Sequence, residues 1–281
     1  MRPFDDISRL ERAQSLDKPA AVIRTVVQKA LGNQKVKDFL HGTWLGHSLH
    51  PALVQVTFGS LLSASLIDLV GGKRSYSSAL IGTGLAVTPL TTAAGWADWS
   101  AGNPDQQRVG LVHAATNITA VSLYASALVS RSRGGSGRLL SLSGLAVSSV
   151  GAVLGGHLGY RQALGPNHAD RVPDLAPSEW TPLGAIDDLP EGQPVGLRAG
   201  QVPVLVLRRG TTATVLSNTC PHLAAPMSEG KVEGDDIICP WHGSRFRLDD
   251  GGLVHGPATA PLPCFDARVE GGVLQARRRD L

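Results

Sequence analysis

Two short stretches hold most of the metal-binding chemistry of this chain: Cys220-Pro221-His222 and Cys239-Pro240-Trp241-His242, with sixteen residues between the halves. Together they use two of the chain's three cysteines. Structural zinc sites usually draw like ligands in each half at wider spacing, so a single residue between Cys and His is unusual for them. When each loop supplies one thiolate and one imidazole, the set suits a binuclear iron-sulfur centre, with both cysteines on one iron and both histidines on the other.

The elements around these loops read as β structure. Short runs rich in branched residues, bounded by Gly, Pro, Asn and Asp, fall at 195–198, 202–208, 213–217, 237–238, 245–248, 267–269 and 273–276. Such spacing predicts a small antiparallel β domain over residues 180–281. Before it, residues 163–179 carry three prolines and no apolar period, the composition of an extended linker.

In ligand types, order and spacing, residues 180–278 resemble the Rieske [2Fe-2S] family. The resemblance implies that Cys220 and Cys239 hold the buried iron and His222 and His242 the outer one. The stretch G-P-A-T-A-P-L-P at 256–263 looks like the proline-rich segment that closes over the cluster in such domains. High-potential members carry an extra cysteine in each ligand loop. Here those places hold Ala224 or Ala225 and Trp241, so the loops resemble the ferredoxin-like subtype that serves ring-hydroxylating enzymes. Imidazole ligation makes the centre less negative, and Rieske potentials span about −150 to +300 mV against about −400 mV for plant-type ferredoxins. Ser244 is placed to donate to a cluster sulfur and raise the potential, whereas Phe246 stands in the region of the family's tyrosine. Low to intermediate potential is expected. Cys264 lies outside the motif and reads as a free, buried thiol.

The amino-terminal half has a different composition. Over residues 53–130 the charges are confined to Asp68, Lys73, Arg74, Asp98, Asp105 and Arg108. Residues 53–71, 77–96, 109–130 and 139–160 each approach the ~20 apolar residues that cross a bilayer as a helix. They predict an all-α four-helix transmembrane bundle over 47–162. Gly151, Gly155 and Gly159 would let the last helix pack closely, and Pro89 would kink the second. Residues 1–46 form a lead-in segment in which 17–40 has amphipathic spacing, broken near Gly32, suited to a membrane surface. It lacks a signal-peptide core and a twin-arginine pair.

A second group of polar residues belongs to this half: His47, His50, Asp98, His113 and His157. In an up-and-down bundle all five fall at one membrane face, where they are candidates to bind haem, another metal or a quinone. Asp68, at the other face, is expected to pair with Lys73 or Arg74. The stretches G-H-S-L-H-P, W-A-D-W and R-V-G-L-V-H-A-A-T-N are similar to an uncharacterised family of bacterial four-span membrane domains, which lends a span count and no activity.

The reading is a multidomain chain, an all-α transmembrane bundle followed by a small all-β Rieske-type domain, acting as a membrane-anchored single-electron carrier. Expected partners are the lipid bilayer, a soluble reductase or oxygenase, and a quinone pool or haem b. Net charge of +3 and the lack of a basic patch interleaved with aromatics argue against nucleic acid. No second iron site of two histidines and a carboxylate follows the β domain, so a stand-alone oxygenase is not expected. The competing reading is a redox or iron sensor attached to a membrane protein. The expected location is the bacterial plasma membrane. Five basic residues in the short loops 72–76 and 131–138 pull those loops inward, but the charged lead-in favours a cytoplasmic β domain.

Overall fold

The computed structural model describes residues 3–279. Its helices are α1 (Pro3–Glu11), α2 (Asp17–Ala30), α3 (Gln34–His41), α4 (Leu49–Leu69), α5 (Arg74–Ser100), α6 (Pro104–Ser132), α7 (Arg138–Gly156) and the short α8 (Val172–Leu175). The strands are β1 (Thr181–Ala185), β2 (Pro194–Ala199), β3 (Val202–Arg209), β4 (Thr212–Ser217), β5 (Lys231–Glu233), β6 (Asp236–Ile238), β7 (Arg245–Arg247), β8 (Leu253–His255), β9 (Phe265–Glu270) and β10 (Val273–Arg278). Contacts divide the chain into two compact units. One joins the chain up to Asn33 with Ser48–Leu164; the other joins Gln34–His47 with the chain from Gly165 onward.

In the helical unit α4 packs along α5 and α6 along α7, and α4–α7 and α5–α6 contacts close the bundle. The start of α6 is specified locally. Pro104 sits at the first helical position, and a capping box forms in which Asn103 Oδ1 accepts from the Gln106 amide at 3.0 Å while Gln106 Oε1 accepts from the Asn103 amide at 2.8 Å. The helix α7 passes into one π-helical stretch over His157–Arg161.

Among the described residues three helices are long and apolar enough to cross a membrane: Leu49–Leu69, Pro104–Ser132 and Arg138–Arg161. The expected second span is present as the 27-residue α5, which runs through Pro89 without a break but falls outside that set. Its Ser, Thr and Gly content, including Thr83, Thr88, Thr91 and Thr92, dilutes its apolar character. Four expected spans are therefore narrowed to three on length and composition. Gly151 and Gly155 do permit close approach, but of polar side chains on α6: an added Cβ would lie 2.7 Å from Asn117 Oδ1 and 3.0 Å from His113 Cε1, respectively, while Gly159 meets nothing.

The lead-in segment is not one piece. Its break falls at Gly32, as the spacing implies, with α2 ending at Ala30 and α3 beginning at Gln34. The helix α2 stays with the bundle, where Asp17 accepts from Arg108 Nε at 2.6 Å. The helix α3 packs with the β unit, because Asp38 accepts from the Gly256 amide at 2.9 Å and pairs with His255 Nδ1 at 2.9 Å. Sequence position puts α3 beside α2; its hydrogen bonds are 217 and 218 residues away.

The β unit holds three small antiparallel sheets, ordered β1-β10-β9, β2-β3-β4 and β5-β6-β7-β8. Central to them is β3, whose run Val204-Leu205-Val206-Leu207 is buried on both faces. Alternation sends Val204 and Val206 into a core with Val215, Phe265 and Leu274, and Leu205 and Leu207 into another with Met227, Ile237, Phe246 and Leu262. Cys220 and Cys239 belong to the second core. Each of those leucines contributes roughly 2 kcal/mol by burial. The antiparallel β expectation is met, and β1, β5 and β8 are additions to it. The three residues of β5 and β8 are too few to show a period, and Pro182 and Gly184 put a bulge in β1.

Candidate metal centre

Two loops bear the cysteine and histidine pairs, and they share one backbone design. In the first, the Cys220 amide donates to the Ala225 carbonyl at 2.9 Å and the Ala224 amide donates to the Cys220 carbonyl at 2.9 Å. In the second, the Cys239 amide donates to the Ser244 carbonyl at 2.8 Å and the Gly243 amide to the Cys239 carbonyl at 3.2 Å. The fourth residue after each cysteine lies in the left-handed region, with φ 60° at Ala224 and 77° at Gly243. The sixteen residues between the motifs are thereby explained. They contain the β5–β6 hairpin, which returns the chain so that the two loops lie side by side.

Glycine suits the left-handed position and alanine does not, at a cost of about 1–2 kcal/mol for a residue with a Cβ. Ala224→Gly is therefore expected to stabilise the β unit by about 1 kcal/mol and Ala224→Val to destabilise it. Equilibrium denaturation of the iron-loaded chain measures both.

The candidate ligand atoms sort by type. His222 Nδ1 and His242 Nδ1 are 3.2 Å apart, with ring centroids at 4.9 Å and planes at 86°. The Cys220 and Cys239 thiols are hydrogen-bonded to each other. Two imidazole nitrogens bound to one ion at about 2.1 Å in a roughly tetrahedral arrangement would stand about 3.4 Å apart. Among the described residues no three His, Cys, Asp or Glu side chains converge as the ligands of a single ion. A sulfur pair and a nitrogen pair, each short of a full single-ion set, are what a diiron centre asks of its protein.

Charge is arranged to suit the same task. Burial, and next the neighbouring His242, push His222 down to about 3, so that it presents a neutral lone pair. The hydrogen bond from Cys220 holds Cys239 down to about 7, while that contact and burial push Cys220 up. One thiolate is thus ready for metal, and binding removes the other proton.

The two histidines are not equivalent. His242 is half-buried beside the exposed Trp241, but His222 is only 9% exposed. His41 from α3 and His168 lie close enough to depress His222 further, and the His168 amide donates to the Pro221 carbonyl at 2.9 Å. Neither His41 nor His168 carries a motif, since the first comes from the lead-in segment and the second from the linker. Of the two imidazoles, His242 is the more exposed.

The second ligand loop is tied to the proline-rich segment. The Ala258 amide donates to the fully buried Ser244 Oγ at 3.0 Å, a bond in which Ser244 is the acceptor and its own proton is not used. Cys264 is half-buried and not fully so, and burial raises its thiol to about 11. Alkylation of Cys264 at pH 8 is expected to run about 100-fold slower than that of an ordinary thiol with a pKa near 9, measurable by mass spectrometry of the native chain.

The membrane-side histidines are distributed unevenly. His50 and His113 meet, with ring centroids 6.4 Å apart. His157 is buried and pairs with Glu11 Oε1 at 2.6 Å. His47 belongs to the β unit and Asp98 to the end of α5. Asp68 pairs with Arg131 at 2.5 Å, both nearly fully buried, so the expected partnership with Lys73 or Arg74 is replaced by one with a residue 63 positions away.

A small antiparallel β domain with two matched loops, pairing sulfur with sulfur and nitrogen with nitrogen, defines a Rieske-type iron-sulfur protein. Residues 179–266 match the family described as Rieske [2Fe-2S] domain, and residues 46–167 match that described as Predicted membrane protein (DUF2231). The anthranilate 1,2-dioxygenase ferredoxin subunit of Burkholderia cepacia is 35% identical over 98 residues, covering 35% of this chain and 91% of that protein. Ferredoxin CarAc of Metapseudomonas resinovorans is 35% identical over 94 residues, covering 33% and 88%. The solved ferredoxin of carbazole 1,9a-dioxygenase from Nocardioides aromaticivorans IC177 is 27% identical, with 35% of this chain and 99% of that one covered and a TM-score of 0.34. The chain belongs to the Rieske [2Fe-2S] ferredoxin family, with its Rieske domain attached to a predicted membrane domain.

Proposed function

We propose that this chain is a membrane-anchored electron carrier in which Cys220 and Cys239 hold one iron of the cluster and His222 and His242 the other. The sorted pairing of the ligand atoms, above all the 3.2 Å between the two Nδ1 atoms, is the observation that carries this reading. When bound, a Rieske cluster takes up and returns one electron at a time. The loops of this chain exclude water from Cys220, Cys239 and His222 and leave His242, with Trp241 beside it, as the side presented to a partner.

A soluble reductase or oxygenase component is the proposed partner at that side, by analogy with the ferredoxin components named above. A quinone or haem within the helical unit is the proposed partner in the bilayer. On this reading α5 crosses with the three more apolar helices against which it packs. The proposed location is the bacterial plasma membrane with a cytoplasmic β unit.

The test is EPR and optical spectroscopy of the full chain in proteoliposomes before and after dithionite. A rhombic signal of a reduced Rieske centre that disappears on adding a quinone is the expected result. Stoichiometric zinc with no paramagnetic signal would overturn the cluster, and a signal indifferent to every membrane oxidant would overturn the membrane coupling.

A further inference from the structure

The helical unit repeats one local arrangement in its two hairpins. His50, in the first turn of α4, donates from Nδ1–H to the Thr91 carbonyl of α5 at 2.9 Å. One turn further along α5 is Gly95, where a Cβ would lie 2.8 Å from that nitrogen. His113, on α6, donates from Nδ1–H to the Gly151 carbonyl of α7 at 2.9 Å. One turn further along α7 is Gly155, where a Cβ would lie 3.0 Å from the ring's Cε1. In each hairpin a carbonyl and a glycine four residues later seat an imidazole directly on helix backbone. The two half-buried rings then approach each other between the hairpins, with centroids 6.4 Å apart and planes at 82°.

This anchoring determines the tautomer. A main-chain carbonyl only accepts, so Nδ1 carries the proton in both rings and Nε2 carries the lone pair. Asn117 does not consume the lone pair of His113. Its Nδ2 lies 3.4 Å from Nδ1 and 3.2 Å from Nε2, which places it beside the ring between the two nitrogens and off the Nε2 axis, and it donates to the His113 carbonyl at 2.9 Å. A backbone-bonded Nδ1–H with a free Nε2 is how metal-ligating histidines are oriented.

The spacing selects the kind of metal site. With metal–nitrogen bonds of about 2.1 Å and a ring centre about 1.1 Å behind the nitrogen, imidazoles on opposite sides of one ion have centroids about 6.4 Å apart, whereas a tetrahedral ion brings them to about 5.2 Å. Among the described residues no third His, Cys, Asp or Glu joins the pair. The remaining ligands would then come from outside the protein, and a planar tetrapyrrole supplies four and leaves two opposite positions open.

We propose that His50 and His113 are the axial ligands of a haem iron held between the two hairpins. Its role as the bilayer-side electron partner rests on the electron-carrier reading above; the ligation itself does not.

The test uses the full chain, produced in iron- and haem-sufficient cells and purified in detergent, with haem measured as pyridine haemochrome and the Rieske centre by EPR. Expected are haem equimolar with the chain, a low-spin optical spectrum, and at least a ten-fold loss of haem in His50→Ala and in His113→Ala. His157→Ala, whose ring is committed to Glu11, should keep its haem. Where an alanine variant fails to fold, His113→Met retains a ligand, and a changed haem spectrum is expected from it. A wild-type chain with a Rieske signal and no haem, including one that carries a quinone instead, overturns the proposal. So does haem that survives both alanine replacements or a spectrum untouched by His113→Met. Haem without a Rieske signal would leave the ligation standing and overturn the electron-carrier reading.

Discussion

Cys239→Ala and His242→Ala chains are each expected to lose the [2Fe-2S] centre, with nearly all of its two non-haem irons and the EPR signal of the reduced state. Both residues sit in the Cys239–Ser244 loop, but the reasons differ. Cys239 is the thiol held lowest, about 7, so its removal takes away the more acidic of the two thiols and leaves Cys220 alone, with burial as the one remaining cause that raises it. His242 contributes one of two nitrogens 3.2 Å apart, and on the proposed ligation, with only His222 left, the outer iron would lose half of its protein ligands. Retention of the β unit in these variants should be modest but measurable, because Cys239 is part of a core with Leu205, Ile237 and Phe246. Two controls separate ligation from packing. Cys264→Ser should keep its iron, since its thiol donates to the Leu262 carbonyl and lies outside both cysteine–histidine loops, and so should Trp241→Ala, a residue that is 54% exposed. Iron analysis with EPR decides the matter: a full complement in Cys239→Ala would refute the ligand assignment.

Asp68→Ala is expected to destabilise the helical unit by about 3–5 kcal/mol, the usual cost of stranding one partner of a buried ion pair. The Asp68 carboxylate meets Arg131 at 2.5 Å with side-chain exposures of 5% and 4%. Arg131 also donates to Ser77 Oγ at 2.9 Å, to Ser78 Oγ at 3.1 Å and to the Ser136 carbonyl at 3.1 Å. One guanidinium therefore ties together the end of α4, the start of α5, the end of α6 and the α6–α7 loop. Without Asp68 its charge has hydroxyls and a carbonyl but no counter-ion. Replacing both partners with apolar residues, Asp68→Leu with Arg131→Met, removes the stranded charge, and most of the loss should return. Thermal unfolding of the full chain in detergent compares them; an Asp68→Ala variant as stable as the parent would show that the pair is not sealed from water.

The Asp68 case shows where reading from sequence stopped. Lys73 and Arg74 are its near neighbours in the chain, and a local rule chooses them. The bundle brings Arg131 instead, since the ends of α4 and α6 fall together once their apolar faces are satisfied, and a buried carboxylate takes the cation within reach in the interior. The same limit applies to α3. Its amphipathic spacing was legible, but its destination was set by Asp38 meeting Gly256 and His255. His41 and His168 near His222 had no signal of their own, because a histidine that lines a site without belonging to its motif looks like any other.

By itself the amino-acid sequence determined the chemistry of the centre and the division of the chain into an apolar helical half and a β half. Ligand identity and short spacing act within a loop of six or so residues, where covalent geometry leaves few choices, and apolar content over ~20 residues is a bulk property that needs no fold to be read. Only the tertiary structure decided which histidines meet. It pairs His50 with His113, engages His157 with Glu11, and buries His222 while leaving His242 half-buried. Those encounters join residues tens of positions or more apart, and what brings them together is the packing of whole helices and sheets, a sum over many weak contacts that no local pattern records.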